Sequence, residues 1–287
     1  MRRGFVSQLG MDRDAVLQRA EALGFEFVEL LMDGDDDRAG VDEAFVDRLR
    51  GAPVDVLVHL PWSGFDIGSP HEHVREGAVR EYEAYLDLIE RFDAEKAVIH
   101  GSTGAWRAAW PDGIARERLF ESLRHLDGYA ADRGIELAVE NVPGGALPTT
   151  GFDELLSATD ANVTLDTGHA RIDGLDDDGI VALVEDHRDR ITHVHLNDVR
   201  GASDEHLPFG AGFVDFEAIL GALADREPAP TLSLEVYTLD WGYVETSKRR
   251  LDAVLDAVAG GTYGADGADG ADGPDGRGGG GTGGVSG

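Results

Sequence analysis

Cysteine is absent from the 287 residues. That excludes disulfides, thiol nucleophiles, thiolate metal sites and iron–sulfur clusters together, so any metal must be held by nitrogen and oxygen. Lysine is nearly absent as well: Lys96 and Lys248 stand alone, and the remaining basic residues are arginines. Positive charge is scarce overall, with 25 Lys plus Arg against 56 Asp plus Glu and a formal net charge of −31. No apolar run reaches the roughly eighteen residues that a membrane span needs. The opening Met1-Arg2-Arg3-Gly4-Phe5 is not followed by the unbroken apolar stretch of a signal peptide. The expectation is a soluble, cytoplasmic protein with no membrane partner, and at ordinary ionic strength its charge opposes binding to nucleic acid.

What is present is a composition that can bury a core, 42% hydrophobic. Short β-rich runs alternate with segments of helical period. The predicted strands are Gly4–Leu9, Glu26–Leu31, Asp55–Leu60, Ala97–His100, Glu136–Glu140, Asn162–Asp166, Thr192–Leu196 and Thr231–Val236. The predicted helices are Arg13–Leu23, Asp42–Arg50, His73–Phe92, Ile114–Arg133, Phe152–Thr159, Asp177–His187, Phe216–Ala224 and Val244–Val258. Strand followed by helix, repeated, means parallel strands with right-handed crossovers, and this count and length fit an α/β (β/α)8 TIM barrel. A doubly wound open sheet would carry a G-x-G-x-x-G turn after an early strand, and none is there. The barrel is expected over residues 1–259. A Gly/Asp-rich tail at 260–287, with Ala-Asp-Gly repeating from 265 to 273, has too little apolar surface to offset its ordering entropy and is expected to be disordered. The arginine-over-lysine, aspartate-rich composition resembles that of proteins from salt-accumulating halophilic archaea. In molar salt a Debye length of about 3 Å would screen most of the self-repulsion.

In such a barrel the chemistry sits at the carboxyl ends of the strands. Those ends carry His59, His100, Glu140-Asn141, Asp166 with His169 close behind, His195 within His193-Val194-His195, and Glu235; the second strand adds Glu29. Any one of them alone reads as a hydrogen-bonded core or rim residue. Together they place carboxylates beside apolar strand residues where no lysine is at hand, and a divalent cation is the economical counter-charge. A sulfur-free His/Asp/Glu set suits Mn, Mg, Co, Fe or Zn without choosing among them.

The segments VHLPW at 58–62, VIHG at 98–101, VEN at 139–141, LDTGH at 165–169, HVHLND at 193–198, DEHLPFGAGFVDF at 204–216 and LEV at 234–236 resemble, in order and spacing, the xylose isomerase-like TIM-barrel superfamily. That superfamily holds sugar and sugar-phosphate isomerases and epimerases, together with the endonuclease IV type of abasic-site nuclease (the AP endonuclease 2 family). For the isomerase branch the resemblance implies one divalent metal on Glu140, Asp166, His195 and Glu235. It also implies proton exchange by Glu140 and Glu235 on opposite faces of the carbon next to a carbonyl, with His169 beside the substrate. For the nuclease branch it implies a metal cluster that also draws on His59, His100, His169, Asp204 and His206.

The remaining loops favour a small sugar or sugar-phosphate substrate. Those after the second and third strands, Met32–Asp37 and Trp62–Asp66, are acidic or neutral, whereas a nuclease needs cations to clamp phosphates. Trp62, Trp106, Trp110 and Trp241 fall in loops at one end of the barrel, where aromatic faces can stack on a sugar ring or can pack loop on loop. Arg107, Arg171 and above all Arg200 are candidates for a substrate phosphate or carboxylate. Trp62, Trp106, Arg200 and Asn141 are the expected substrate contacts, and His193 is expected one layer deeper than His195. The reading is therefore an isomerase or epimerase. An abasic-DNA phosphodiesterase is the first alternative and a non-catalytic polyol-binding barrel the second; a dehydratase or aldolase would use the same residues.

Overall fold

The computed structural model describes residues 1–111, 113–224 and 226–260. Runs rich in Val, Ile and Leu become β1 (Arg3–Phe5), β2 (Phe27–Leu31), β3 (Asp55–His59), β4 (Lys96–His100), β5 (Glu136–Glu140), β6 (Asn162–Asp166), β7 (Ile191–Leu196) and β8 (Thr231–Leu234). Paired neighbours run parallel in the order β1-β8-β7-β6-β5-β4-β3-β2. The Ser7 amide donates to the Glu29 carbonyl at 2.8 Å and Val6 bridges Glu29, which closes the ring between β1 and β2. The fold is the expected (β/α)8 barrel.

Around it lie α1 (Arg13–Leu23), α2 (Glu43–Arg50), α3 (Glu72–Glu90), α4 (Ile114–Ala131), α5 (Phe152–Ala158), α6 (Thr167–Ile172), α7 (Asp177–His187), α8 (Phe216–Leu223) and α9 (Trp241–Ala259). Aspartate opens many of them. The side chains of Asp12, Asp42, Asp176, Asp215 and Asp240 each accept a backbone N–H in the first helical turn, so part of the acid excess is spent on capping and on favourable helix-dipole contact. Helix α6 was not expected from the sequence. It is one short turn-and-a-half directly after β6, started by the Asp166 carboxylate accepting from the His169 amide at 2.6 Å. From residue 261 on, the tail expected to be disordered lies outside the described residues. Among the described residues no helix is long and apolar enough to cross a membrane.

Period-2 alternation divides each strand between two environments. Outward side chains such as Val28, Val58, Ile99, Val139, Leu165 and Val194 join Leu17, Phe45, Leu86, Leu123, Leu155 and Leu220 of the helices in one buried apolar sheath. Inward side chains are more mixed: Phe27, Leu57, Val98 and Ala138 share the interior with Glu29, His193, Thr231 and Ser233. Gly4 faces this interior, and a Cβ there would lie 2.2 Å from the ring of the fully buried Phe27. Gly4→Ala is therefore expected to cost about 1–3 kcal/mol, the usual penalty for overpacking a filled core. The midpoint of denaturant unfolding should fall with little change in slope.

Candidate functional site

Residues with the parity of the inward-facing side chains that also end their strands meet at the carboxyl mouth. Glu140, Asp166, His195 and Glu235, from β5, β6, β7 and the segment after β8, each present one atom, and these atoms lie within 4.8 Å of one another. All four are buried. Glu140 and Glu235 open onto a cavity of about 600 Å3 whose walls include His59, Trp62, His100, Ser102, His169, Asp204, His206 and Tyr237, with Asp166 and His195 fully buried beside them.

The support beneath this floor is specific. His195 turns Nδ1 toward the carboxylates, 3.2 Å from Glu235 Oε2 and 3.5 Å from Glu140 Oε2. Its Nε2 sits 3.0 Å from Glu29 Oε1. An ionised Glu29 only accepts, so Nε2 carries the proton and Nδ1 is the nitrogen left for a ligand. Asp166 is fixed from two sides: Oδ1 receives the His169 amide and Oδ2 receives Asn197 Nδ2 at 2.6 Å. Gly168 is what lets Asn197 approach, since a Cβ there would be 1.9 Å from Asn197 Oδ1. Glu140 is ringed by imidazoles, with His59 Nε2 at 3.2 Å, His100 Nε2 at 3.4 Å and His169 Nδ1 at 3.2 Å.

The electrostatics show acids short of compensation. Burial, reinforced by Glu235 and Glu140 against the pull of His169, raises Asp166 to about 7. Burial also opposes ionisation of Glu140, but His195, His100 and His169 overcome it and hold that carboxyl well below the usual range. Glu235 is brought to about 2, where His206 and His195 outweigh its burial. The rings respond in kind. Burial alone would lower His169, yet Asp166, Asp204 and Glu140 lift it to about 12, and His206 rises to about 9 through Glu235, Asp204 and Asp166.

A divalent cation fits this arrangement on two observations. Three carboxylates and one imidazole form a hard oxygen/nitrogen donor set of the kind that takes Mn, Mg, Co or Zn. His195 Nδ1, His206 Nδ1 and Glu235 Oε2 are buried without a hydrogen-bond partner, a costly state that a cation would relieve. Among the described residues three further groupings lie around this one: Glu29–His193–His195 and His59–Glu140–His195 share residues with it, and His169–Asp204–His206 is separate.

The expected substrate contacts divide. Trp62 lines the cavity, stacked on His100 with centroids 5.5 Å apart. Trp106 is 75% exposed and does not line it. Asn141 is buried beneath, its Nδ2 donating to Thr149 Oγ1 and its Oδ1 accepting the Asp166 amide, so it fixes the strand end and does not face the cavity. Arg200 pairs with Glu205 at 2.8 Å, and Arg171 with Asp177 at 3.5 Å, both outside the cavity wall. The side chain of Arg107 lies outside the described residues. Trp110 packs edge-on against His71, and Trp241 against Phe5. His193 sits one layer down, bonded to Glu29 Oε2 at 2.9 Å. From the sequence Glu29 counts among the strand-end acids without its partners, and Tyr237 is left out of the site. Glu29 was visible as an acid in an apolar strand, although nothing local tied it to His195. Tyr237 stacks on His206 at 4.1 Å, and His206 itself sits at a left-handed φ of 43°.

A family model described as the xylose isomerase-like TIM barrel matches residues 17–256, and the chain belongs to that family. Among curated relatives, the inosose dehydratase of Clostridium botulinum (strain Alaska E43 / Type E3) is 27% identical over 205 residues, 61% of this chain and 66% of that one. The chain thus spans less than two thirds of that relative's length, and 64% of another's. Among solved structures, a D-tagatose 3-epimerase-like protein superposes with a TM-score of 0.79 at 24% identity, covering 92% of this chain and 100% of that one. The TTHB071 protein from Thermus thermophilus, in a crystal soaked with ZnCl2, gives 0.67 at 26% identity, covering 91% and 98%.

Cation binding here must displace protons, because Asp166 is half-protonated near pH 7 and the folded site competes for the same oxygens. His195, where Glu29, Glu235 and Glu140 outweigh burial and hold the ring well above its usual value, must also give up a proton. Affinity for Mn2+ should therefore fall by about tenfold or more per unit as pH drops below about 7. Calorimetric titration in two buffers of different ionisation heat should register proton release, and a pH-independent affinity would contradict the assignment.

Proposed function

We infer that the protein is a divalent-metal-dependent enzyme that moves a proton next to the carbonyl of a sugar or sugar phosphate, isomerising or epimerising it. The observation that carries this reading is the meeting of Glu140 and Glu235, from opposite parts of the chain, with Asp166 and His195 at the floor of one cavity. The inosose dehydratase relative supports a polyhydroxylated ketone as the substrate class. A dehydratase would begin with the same proton abstraction.

Bound there, a divalent cation would supply the positive charge that a forming enediolate requires. The protein's own groups account for the rest. Glu140 and Glu235 are both ionised near neutrality, so either can take the proton from the carbon beside the carbonyl. The other delivers one to the opposite face after taking it from the charged imidazole at its side, His169 beside Glu140 or His206 beside Glu235. The first glutamate then passes its proton back to its own imidazole or to water. His169, charged at neutral pH, donates from Nδ1 to the Asn141 carbonyl at 2.8 Å and from Nε2 to Asp204 at 3.3 Å, and on the cavity wall its positive charge favours a substrate oxygen as negative charge develops. Trp62 and Tyr237 at the rim give aromatic faces for the sugar's carbon-bound hydrogens.

The second reading, a metal phosphodiesterase acting on abasic DNA, draws on the groupings His59–Glu140–His195 and His169–Asp204–His206. The arginines around the mouth oppose it. Arg13, Arg38, Arg116, Arg171 and Arg200 are each paired with a carboxylate, so they do not form a free cationic track for a phosphodiester backbone.

Incubation with Mn2+ and a panel of ketoses in deuterated water should place deuterium beside the carbonyl. Glu140→Gln and Glu235→Gln should each slow this by about 10²–10⁴-fold while leaving the fold intact. Full exchange in both variants would overturn the two-carboxylate mechanism. Nicking of an abasic oligonucleotide without any ketose exchange would establish the second reading in its place.

A further inference from the structure

Below the candidate metal floor the barrel interior is crossed by a line of buried polar groups rather than filled by aliphatic side chains alone. It begins at the amino end of the strands with Lys96, the first residue of β4, only 5% exposed. Its ammonium has three protons and three acceptors: the Thr192 carbonyl at 2.7 Å, Thr231 Oγ1 at 3.2 Å and Glu136 Oε2 at 3.5 Å. Thr231 Oγ1 lies 2.6 Å from His193 Nδ1. His193 Nε2 lies 2.9 Å from Glu29 Oε2, and Glu29 Oε1 lies 3.0 Å from His195 Nε2. Ser233 Oγ donates to Glu29 Oε2 as well.

We propose that Lys96 is a positioning residue for His195: through Thr231, His193 and Glu29 it sets the direction of an unbroken hydrogen-bond chain that leaves His195 Nδ1 facing the cation site. The inference rests on the cation site proposed above.

The direction follows from donor and acceptor capacity together with distance: the reverse order would have Thr231 Oγ1 accept from both Lys96 and His193 and donate at 3.4 Å to a carbonyl that already takes a Lys96 proton. An ammonium group only donates, so Thr231 Oγ1 must accept from Lys96. The threonine hydroxyl then has one proton to give. His193 Nδ1 at 2.6 Å is a far better acceptor than the Thr192 carbonyl at 3.4 Å. Once Nδ1 of His193 accepts, its proton sits on Nε2 and is donated to Glu29. Glu29 then receives donors on both oxygens, including the Nε2 proton of His195. Lysine is an unusual choice for this position, since burying an ammonium is costly and the chain has only one other lysine. Its use at the far end of the barrel is explained if the position requires a group that cannot accept.

Without Lys96 the line can run backwards. Thr231 can accept from His193 Nδ1 and donate to the Thr192 carbonyl. His193 Nε2 then becomes an acceptor facing Glu29 Oε2 at 2.9 Å, Ser233 is left as the one donor on that oxygen, and the repulsion of two acceptors displaces the carboxylate that holds His195 Nε2.

The test uses the full chain with Co2+ or Zn2+ alone, so it does not depend on turnover. Lys96→Met and Thr231→Val should each weaken Co2+ binding about tenfold, the lower range seen when a ligand's outer partner is lost. Thr231→Ser, which keeps the hydroxyl, should bind within about twofold of the native protein, because the same donor and acceptor remain. In the Zn2+-loaded native protein, two-bond 1H–15N correlation should find His193 neutral and protonated on Nε2. Affinity unchanged in Lys96→Met and Thr231→Val, or a proton on Nδ1 of native His193, would overturn the proposal even if variants fold poorly. A native protein that binds neither metal would instead overturn the cation site itself.

Discussion

Four carboxylates, those of Glu29, Glu140, Asp166 and Glu235, are packed with almost no solvent contact at and just below one mouth of the barrel. Ionised acids in such a place are destabilising unless positive charge or donors surround them. The protein answers with histidine rather than lysine or arginine: His59, His100, His169, His193, His195 and His206 all contact these acids or their partners. Imidazole is compact and donates through one nitrogen while leaving the other for a ligand. An arginine fork would have neutralised the acids permanently. The arginines accordingly pair at the periphery, and the mouth keeps a shortage of positive charge that a divalent cation can fill.

The strand-and-helix alternation was readable because each element follows its own period. The chemistry was readable because strand ends in a barrel point to one place. In Glu136–Glu140 and Asn162–Asp166 the last residue has inward parity, so Glu140 and Asp166 could be placed at the mouth from order alone. Loop side chains could not be placed this way. Trp106 and Arg200 follow strand ends closely, yet the path of a loop depends on contacts far away in sequence. The loop carrying Asp204 and His206 is pinned by Asp198, whose carboxylate receives the amides of Gly212 and Val214. It is also pinned by the paired backbone bonds between Asp198 and Leu207. That pinning turns Arg200 toward Glu205 and brings Tyr237 over His206. The partners of Glu29 could not be read for a related reason, because His193 and His195 lie more than a hundred residues later in the chain.

The interior polar line links these levels. A barrel core made only of Leu, Ile and Val would support the candidate cation site sterically, but it would not decide which histidine nitrogen faces it. Replacing part of that core with Glu29, His193, Thr231, Ser233 and Lys96 trades hydrophobic stabilisation for a defined ligand geometry, a common exchange at sites that must be preorganised.

Anomalous diffraction from crystals soaked in Mn2+, collected on both sides of the metal edge, addresses the central claim most directly. The account predicts one principal ion per chain, within about 2.0–2.4 Å of oxygens from Glu140, Asp166 and Glu235 and of His195 Nδ1. An ion seated elsewhere with these four side chains unliganded, or no ion at all at millimolar Mn2+, would contradict it.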